Sequence, residues 1–151
     1  MSTNTLSTST DQFRALVERS IEIDAPPQAI FESIVEEMQA IPGGDGKPMK
    51  FKLELFPGGR WYRDLGNNAG HLWGHIQVIK PPTLLEIYGP LMISSAAISH
   101  VTYRVTAEGN IHRLSLKHRI FGEFDPKIPE QVGGGWQQVL DRVKTAALKK
   151  K

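Results

Sequence analysis

The chain has 151 residues, no cysteine and a formal net charge of +2, and three of its positive charges sit together in Lys149-Lys150-Lys151. That length suits one domain, which can bury about two thirds of its surface without a metal or a disulfide; the absence of cysteine excludes disulfide scaffolds, thiolate metal sites and cysteine nucleophiles and fits a reducing, cytoplasmic setting. No apolar run approaches the ~20 residues of a membrane span, Met1 to Thr10 has neither the basic start nor the apolar core of a secretory signal, and no basic stripe with interleaved aromatics points to nucleic acid.

Residues 1–14 begin with a Ser/Thr-rich stretch that lacks periodicity and is expected to be a disordered tail. From Leu16 to Asp24 apolar and polar residues alternate, with Val17, Arg19, Ile21 and Ile23 on one side, which predicts a half-buried strand. Ala25-Pro26-Pro27 ends it, since proline cannot continue a central strand but suits the first turn of a helix. Ile30, Phe31, Ile34, Val35 and Met38 then recur at helical spacing, with Glu32, Glu36 and Glu37 opposite. The helix stops before the loop Pro42-Gly43-Gly44-Asp45-Gly46.

Six strands are predicted next: Phe51 to Leu55, Arg60 to Leu65, residues 71–79, Leu84 to Tyr88, Ser99 to Thr106 and His112 to Phe121. Turn signals separate them, among them Pro57-Gly58-Gly59, Gly66-Asn67-Asn68, Pro81-Pro82, Gly89-Pro90 and Gly109-Asn110. In the third, Leu72, Gly74, Ile76 and Val78 share a face; in the fifth, Val101, Tyr103 and Val105 do; in the sixth, Leu114, Leu116, His118 and Ile120 align. Short strands joined by tight turns imply an antiparallel meander. Val132, Trp136, Leu140, Val143 and Ala147 recur at steps of three and four and predict a long last helix, before the basic tail 149–151. Strands in one run with helices at the ends make the fold class α+β, with 15–148 as a single domain.

Gly133-Gly134-Gly135 stands just before Trp136, and each glycine inside a helix costs about 1 kcal/mol against alanine. Either the helix includes them and thins there, leaving space against the sheet, or it starts at Trp136 and they are its leading loop. His118 lies in an apolar row and needs a hydrogen-bond partner; it is a satisfied core histidine, or it orients a ligand or acts as acid or base.

The order of these features resembles the START-like, helix-grip superfamily (SRPBCC). Within it the chain looks most like the branch named after the C-terminal domain of the activator of the heat-shock protein 90 ATPase. Five stretches carry the resemblance: Asp24-Ala25-Pro26-Pro27 with Ile30-Phe31; Pro57-Gly58-Gly59-Arg60-Trp61; Gly74-His75-Ile76 with Pro81-Pro82 and Leu85; the hairpin around Gly109-Asn110; and Gly135-Trp136 with Leu140. They span about residues 15–148. The resemblance implies a seven-stranded sheet wrapped around the C-terminal helix with a hydrophobic cavity between, in which members hold lipids, hormones, polyketides or other apolar molecules. Some members cyclise or hydrolyse them. It implies no invariant catalytic set and no cofactor. The co-chaperone that names the branch carries a further domain ahead of this one, for which residues 1–14 leave no room.

No other constellation specifies chemistry. His71 and His75 on one strand would stand about 13 Å apart, too far to share a metal, and His100 and His112 lack an acidic partner, so no metal site is expected. Ser94-Ser95 has neither a nucleophile elbow nor an evident His/Asp partner, and Gly43-Gly44-Asp45-Gly46-Lys47 lacks the spacing of a phosphate loop. Arg63 is expected outward or at a rim. Trp73 shares its face with His71, His75 and Gln77; unless a bulge switches the parity and makes it core, it marks an exposed surface that, with Leu91-Met92-Ile93, would suit a homodimer. The expected function is binding of a small apolar molecule, lipid or polyketide-like, by a carrier or sensor. Its expected wall is Leu53, Leu55, Trp61, Ile76, Val101, Tyr103, His118 and Trp136. The alternatives are a cyclase or hydrolase using His118 or Tyr103 as acid or base, and a chaperone-regulator-type interaction protein.

Overall fold

The computed structural model describes residues 14–151. Nine elements follow one another: β1 (Arg14–Ile23), α1 (Pro27–Gln39), β2 (Phe51–Leu53), β3 (Arg60–Gly66), β4 (Ala69–Lys80), β5 (Leu84–Gly89), β6 (Ala97–Glu108), β7 (Ile111–Gly122) and α2 (Ile128–Lys149). The expected tail lies outside the described residues except for Arg14, which already pairs with Phe121. The strands form one antiparallel sheet in the order β1-β7-β6-β5-β4-β3-β2. Every sequential pair from β2 to β7 is adjacent, as short turns demand, and only β1 reaches across the chain to its partner β7.

The sheet presents one apolar face. Val17 and Ile23 of β1, Ile76 of β4, Leu85 and Ile87 of β5, Val101, Tyr103 and Val105 of β6, and Leu114 and Leu116 of β7 are all buried on it. The helices complete the core. Pro26 caps α1 and Pro27 starts it, where a missing N–H costs nothing, and Ile30, Phe31, Ile34 and Met38 are buried. From α2, Val132, Trp136, Leu140, Val143 and Ala147 are buried at the predicted spacing. The strand pattern, two terminal helices and α+β class are those expected of a helix-grip fold. No helix among the described residues is long and apolar enough to cross a membrane.

Three sequence expectations change. First, β2 ends at Leu53, so Leu55 lies outside the strand and is 48% exposed. The hairpin tightens early: Glu54 accepts from the Arg60 backbone N–H at 2.9 Å and from its Nε at 2.8 Å, and the Glu54 N–H donates to the Arg60 carbonyl. Second, Trp61 pairs with Gly74 but Tyr62 pairs with Leu72, so Trp73 is an extra residue in a β-bulge. A bulge switches side-chain parity; of the two readings open for Trp73 the core one holds, whereas Leu72, expected inward, is 46% exposed on the other face. A second shift between Ile76 and Val78 brings Ile79, rather than Val78, against the core. Third, the terminal lysines are not a free tail: Lys149 belongs to α2, Lys150 Nζ donates to Ser33 Oγ at 3.0 Å and Glu36 at 2.9 Å, and Lys151 pairs with Asp24 at 2.9 Å.

Candidate functional site

The three glycines lie inside α2 and differ in what surrounds them. A Cβ on Gly133 would stand 2.5 Å from Arg19 Nη2, so the space its missing side chain leaves is filled by the β1 arginine, whose other Nη donates to the Glu18 carbonyl at 2.8 Å. A Cβ on Gly134 or Gly135 would meet nothing within 4 Å, and Gly135 forms part of a cavity wall. Thinning of the helix is therefore real, and it opens onto a cavity only at Gly135. Gly134→Ala and Gly135→Ala should each stabilise the protein by about 1 kcal/mol. Gly133→Ala should lose that gain by displacing Arg19. Urea midpoints of the three variants check this.

That cavity has a volume of about 330 Å³ and lies between residues 128–142 of α2, the loop after α1, the bulged β3–β4 pair and the loop after β5. Trp61, Trp73 and Trp136, all three tryptophans of the chain, wall it. The bulge brings Trp73 edge-on to Trp61, with ring centroids 5.1 Å apart at 76°, and Phe51 lies 4.5 Å from Trp73. Ile41 and Pro42 form one rim and Met92 another. Met92 is placed by its neighbour: Leu91 takes a left-handed backbone (φ 52°) and its N–H donates to the Trp73 carbonyl at 2.7 Å. Ile128, Val132 and Val139 complete the apolar lining, and Gln131, Gln138 and Arg142 are its polar side chains.

Two of the three indole N–H groups are used by the protein. Trp61 Nε1 donates to the Met38 carbonyl at the end of α1 at 2.8 Å, and Trp136 Nε1 donates to His118 Nδ1 at 2.9 Å. Nδ1 must therefore carry a lone pair, which assigns the proton to Nε2. Nε2 lies 2.7 Å from Ser99 Oγ and donates to it. Ser99, His118 and Trp136 are all buried and mutually satisfied, and burial pushes His118 down to about 4. A histidine whose Nε2 carries the proton toward Ser99 cannot take a proton from that hydroxyl, so these residues are not arranged as a serine–histidine dyad. Tyr103 is 2% exposed, and its phenol is pushed up by burial and by the nearby charge of Glu37, which keeps it protonated.

Of the expected wall, Trp61 and Trp136 border the cavity. Ile76, Val101, Tyr103 and His118 are buried in the packed core beneath it, Leu53 is half-buried, and Leu55 does not join them. Sequence reasoning missed Ser99, which sits diagonally from His118 on the neighbouring strand, and Arg142, whose Nε donates to Glu37 Oε2 at 2.7 Å. The helical spacing of Glu37 gave half of that ion pair; its partner lies 105 residues away. Arg63 pairs opposite Phe51 and is half-buried, outside the cavity wall. With Trp73 turned inward, the homodimer surface that was the alternative reading loses that residue. Among the described residues no cluster of His, Asp or Glu could hold a metal ion; His71 is exposed and His75 stacks on Tyr88 at 5.7 Å.

No protein-family model matches the chain, and no curated protein matches it. Solved structures do. CalU16 from Micromonospora echinospora shares 22% identity over 93% of this chain and 87% of its own, with a TM-score of 0.61. Ara h 8.0201 shares 11% identity over 90% of this chain and 99% of its own, with a TM-score of 0.66. DynU16, from the dynemicin biosynthetic locus, shares 13% identity over 86% of this chain but only 46% of its own, with a TM-score of 0.62. At these identities the likeness is one of fold: the chain has a helix-grip fold.

Proposed function

We propose that the protein binds one small apolar molecule in the tryptophan-walled cavity, as a cytoplasmic carrier or sensor. The observation that carries this reading is the cavity itself. Three large rings border it, two of their N–H groups are turned to acceptors in the protein, and a glycine is kept in its wall although nothing in the packing requires one. A volume of about 330 Å³ is near the low end of the roughly 300–1,000 Å³ of small-molecule sites, which favours a compact, polyketide-like or aromatic ligand over a long-chain lipid. DynU16, which shares the fold, is a protein of the dynemicin biosynthetic locus, and a small-molecule ligand for this chain is consistent with that.

Of the other two readings, acid–base catalysis by His118 would require breaking the hydrogen bonds of both its ring nitrogens. A chaperone-regulator role, suggested by resemblance to the heat-shock activator branch, has no residue in the cavity to argue from. Because every tryptophan of the chain borders the site, intrinsic fluorescence reports occupancy directly. A bound ring compound should quench or shift the emission and raise the melting temperature, by about 2.7 kcal/mol of added stability at a hundredfold excess over Kd. Mass spectrometry of gently purified protein should show the carried molecule. A panel of apolar compounds that changes neither emission nor melting temperature would sink the proposal. Gly135→Ala, which places a methyl in the cavity, should weaken binding while Gly134→Ala leaves it unchanged.

A further inference from the structure

We infer that the ligand is a flat aromatic acid whose anionic group is held at the cavity mouth by Arg142; this rests on the binding reading above. Arg142 is the one charged side chain in the described cavity wall. Glu37 reaches it from the neighbouring groove between α1 and α2 and takes only the Nε edge, at 2.7 Å. That bond fixes the plane of the guanidinium. Nη1 and Nη2 make no hydrogen bond among the described residues, and a guanidinium fork offers a planar carboxylate or sulfonate two parallel donors.

Position and surroundings agree with this. The Arg142 side chain is 36% exposed, so an anion there keeps part of its hydration while the ring body enters between the tryptophans, which avoids the cost of burying a charge. No carboxylate lines the cavity itself; Glu37 stands behind Arg142 on its Nε edge, in the neighbouring groove, so the charge that faces the cavity is the guanidinium. Gln131 and Gln138 carry both donors and acceptors and so do not select the sign of the ligand. Trp61 and Trp136 have turned their N–H groups to acceptors in the protein, so what these two rings offer a ligand is carbon, which suits a flat apolar body.

Anilinonaphthalene sulfonate and its neutral parent, N-phenylnaphthylamine, share a ring body and differ in the anion. Affinities are read from quenching of the three tryptophans, in wild type, Arg142→Gln, Arg142→Lys and Glu37→Gln, with urea midpoints confirming that each variant folds. Arg142→Gln should weaken the sulfonate about tenfold and the neutral dye less than about twofold. Arg142→Lys should restore part of the loss, since charge returns without the fork. Glu37→Gln should not weaken the sulfonate, because the amide oxygen can still accept from Nε while the competing negative charge is gone. Equal affinities for the two dyes, or losses that run in parallel in Arg142→Gln, would overturn this inference alone. Failure of both dyes to quench wild-type tryptophans would overturn the binding reading and this inference with it.

Discussion

Trp136→Ala is expected to lower the free energy of unfolding by about 3–5 kcal/mol, the usual range for truncating a buried aromatic. Trp136 is 5% exposed, meets Tyr103 edge-on at 6.0 Å and His118 at 5.8 Å, and is where α2 is fastened to the middle of the sheet. Its loss also leaves His118 Nδ1 without a donor in a buried place. A domain of this size has only about 5–15 kcal/mol to lose, so the variant should unfold at a much lower urea concentration. Trp136→Phe separates the two contributions. It keeps a ring and removes the N–H, and should cost about 1–3 kcal/mol for the unpaired acceptor. A Phe variant as stable as wild type would show that ring packing alone holds the helix and that the hydrogen bond contributes nothing.

The second large effect is acid destabilisation. His118 titrates at about 4 in the folded protein because burial disfavours its charged form, against an ordinary value of 6.5 in the unfolded chain. The unfolded state therefore binds the proton first as pH falls. Stability is full above pH 6.5, declines as pH drops toward 4, and has lost about 3 kcal/mol below it, at 1.36 kcal/mol per unit. The geometry gives the same direction: a proton on Nδ1 would face the Trp136 N–H, turning an acceptor into a second donor. Urea unfolding from pH 7.5 to 4 should show this decline, and His118→Leu, though less stable at neutral pH, should show a flatter profile over that window. An unchanged slope in His118→Leu would assign the acid sensitivity to other groups.

The framework of the fold was legible because alternation and helical spacing are local signals. Val17 to Ile23, Val101 to Val105, Leu114 to Ile120 and the stripe from Val132 to Ala147 all face as their periodicity requires. Parity failed at Leu72 and Val78, where bulges insert an extra residue; a bulge is set by pairing with the neighbouring strand, and nothing in the local pattern of β4 records it. Most of the expected wall lies deeper than the open volume for a related reason. The inward strand residues Ile76, Val101 and Tyr103 pack against the helices and fill the space, while the open volume is bounded by Ile41, Pro42 and Met92, loop residues whose positions follow from tertiary contacts. His118 was recognisable as a buried polar residue needing partners; which partners it has depends on Ser99 and Trp136 converging from a strand and a helix distant in sequence. Gly135 carried a readable signal, since a glycine inside a helix costs stability, and the cavity accounts for its place there.

The claim that a ligand occupies the tryptophan cavity is tested most directly by titrating labelled protein with anilinonaphthalene sulfonate and following its amide and indole N–H resonances. The indole signals of Trp61, Trp73 and Trp136 should move together with the backbone amides of Met92 and Gly135, while Thr102 and Lys117, on the polar outer groove of the sheet, stay where they are. Shifts confined to that outer groove, with the three indoles unmoved, would contradict the claim.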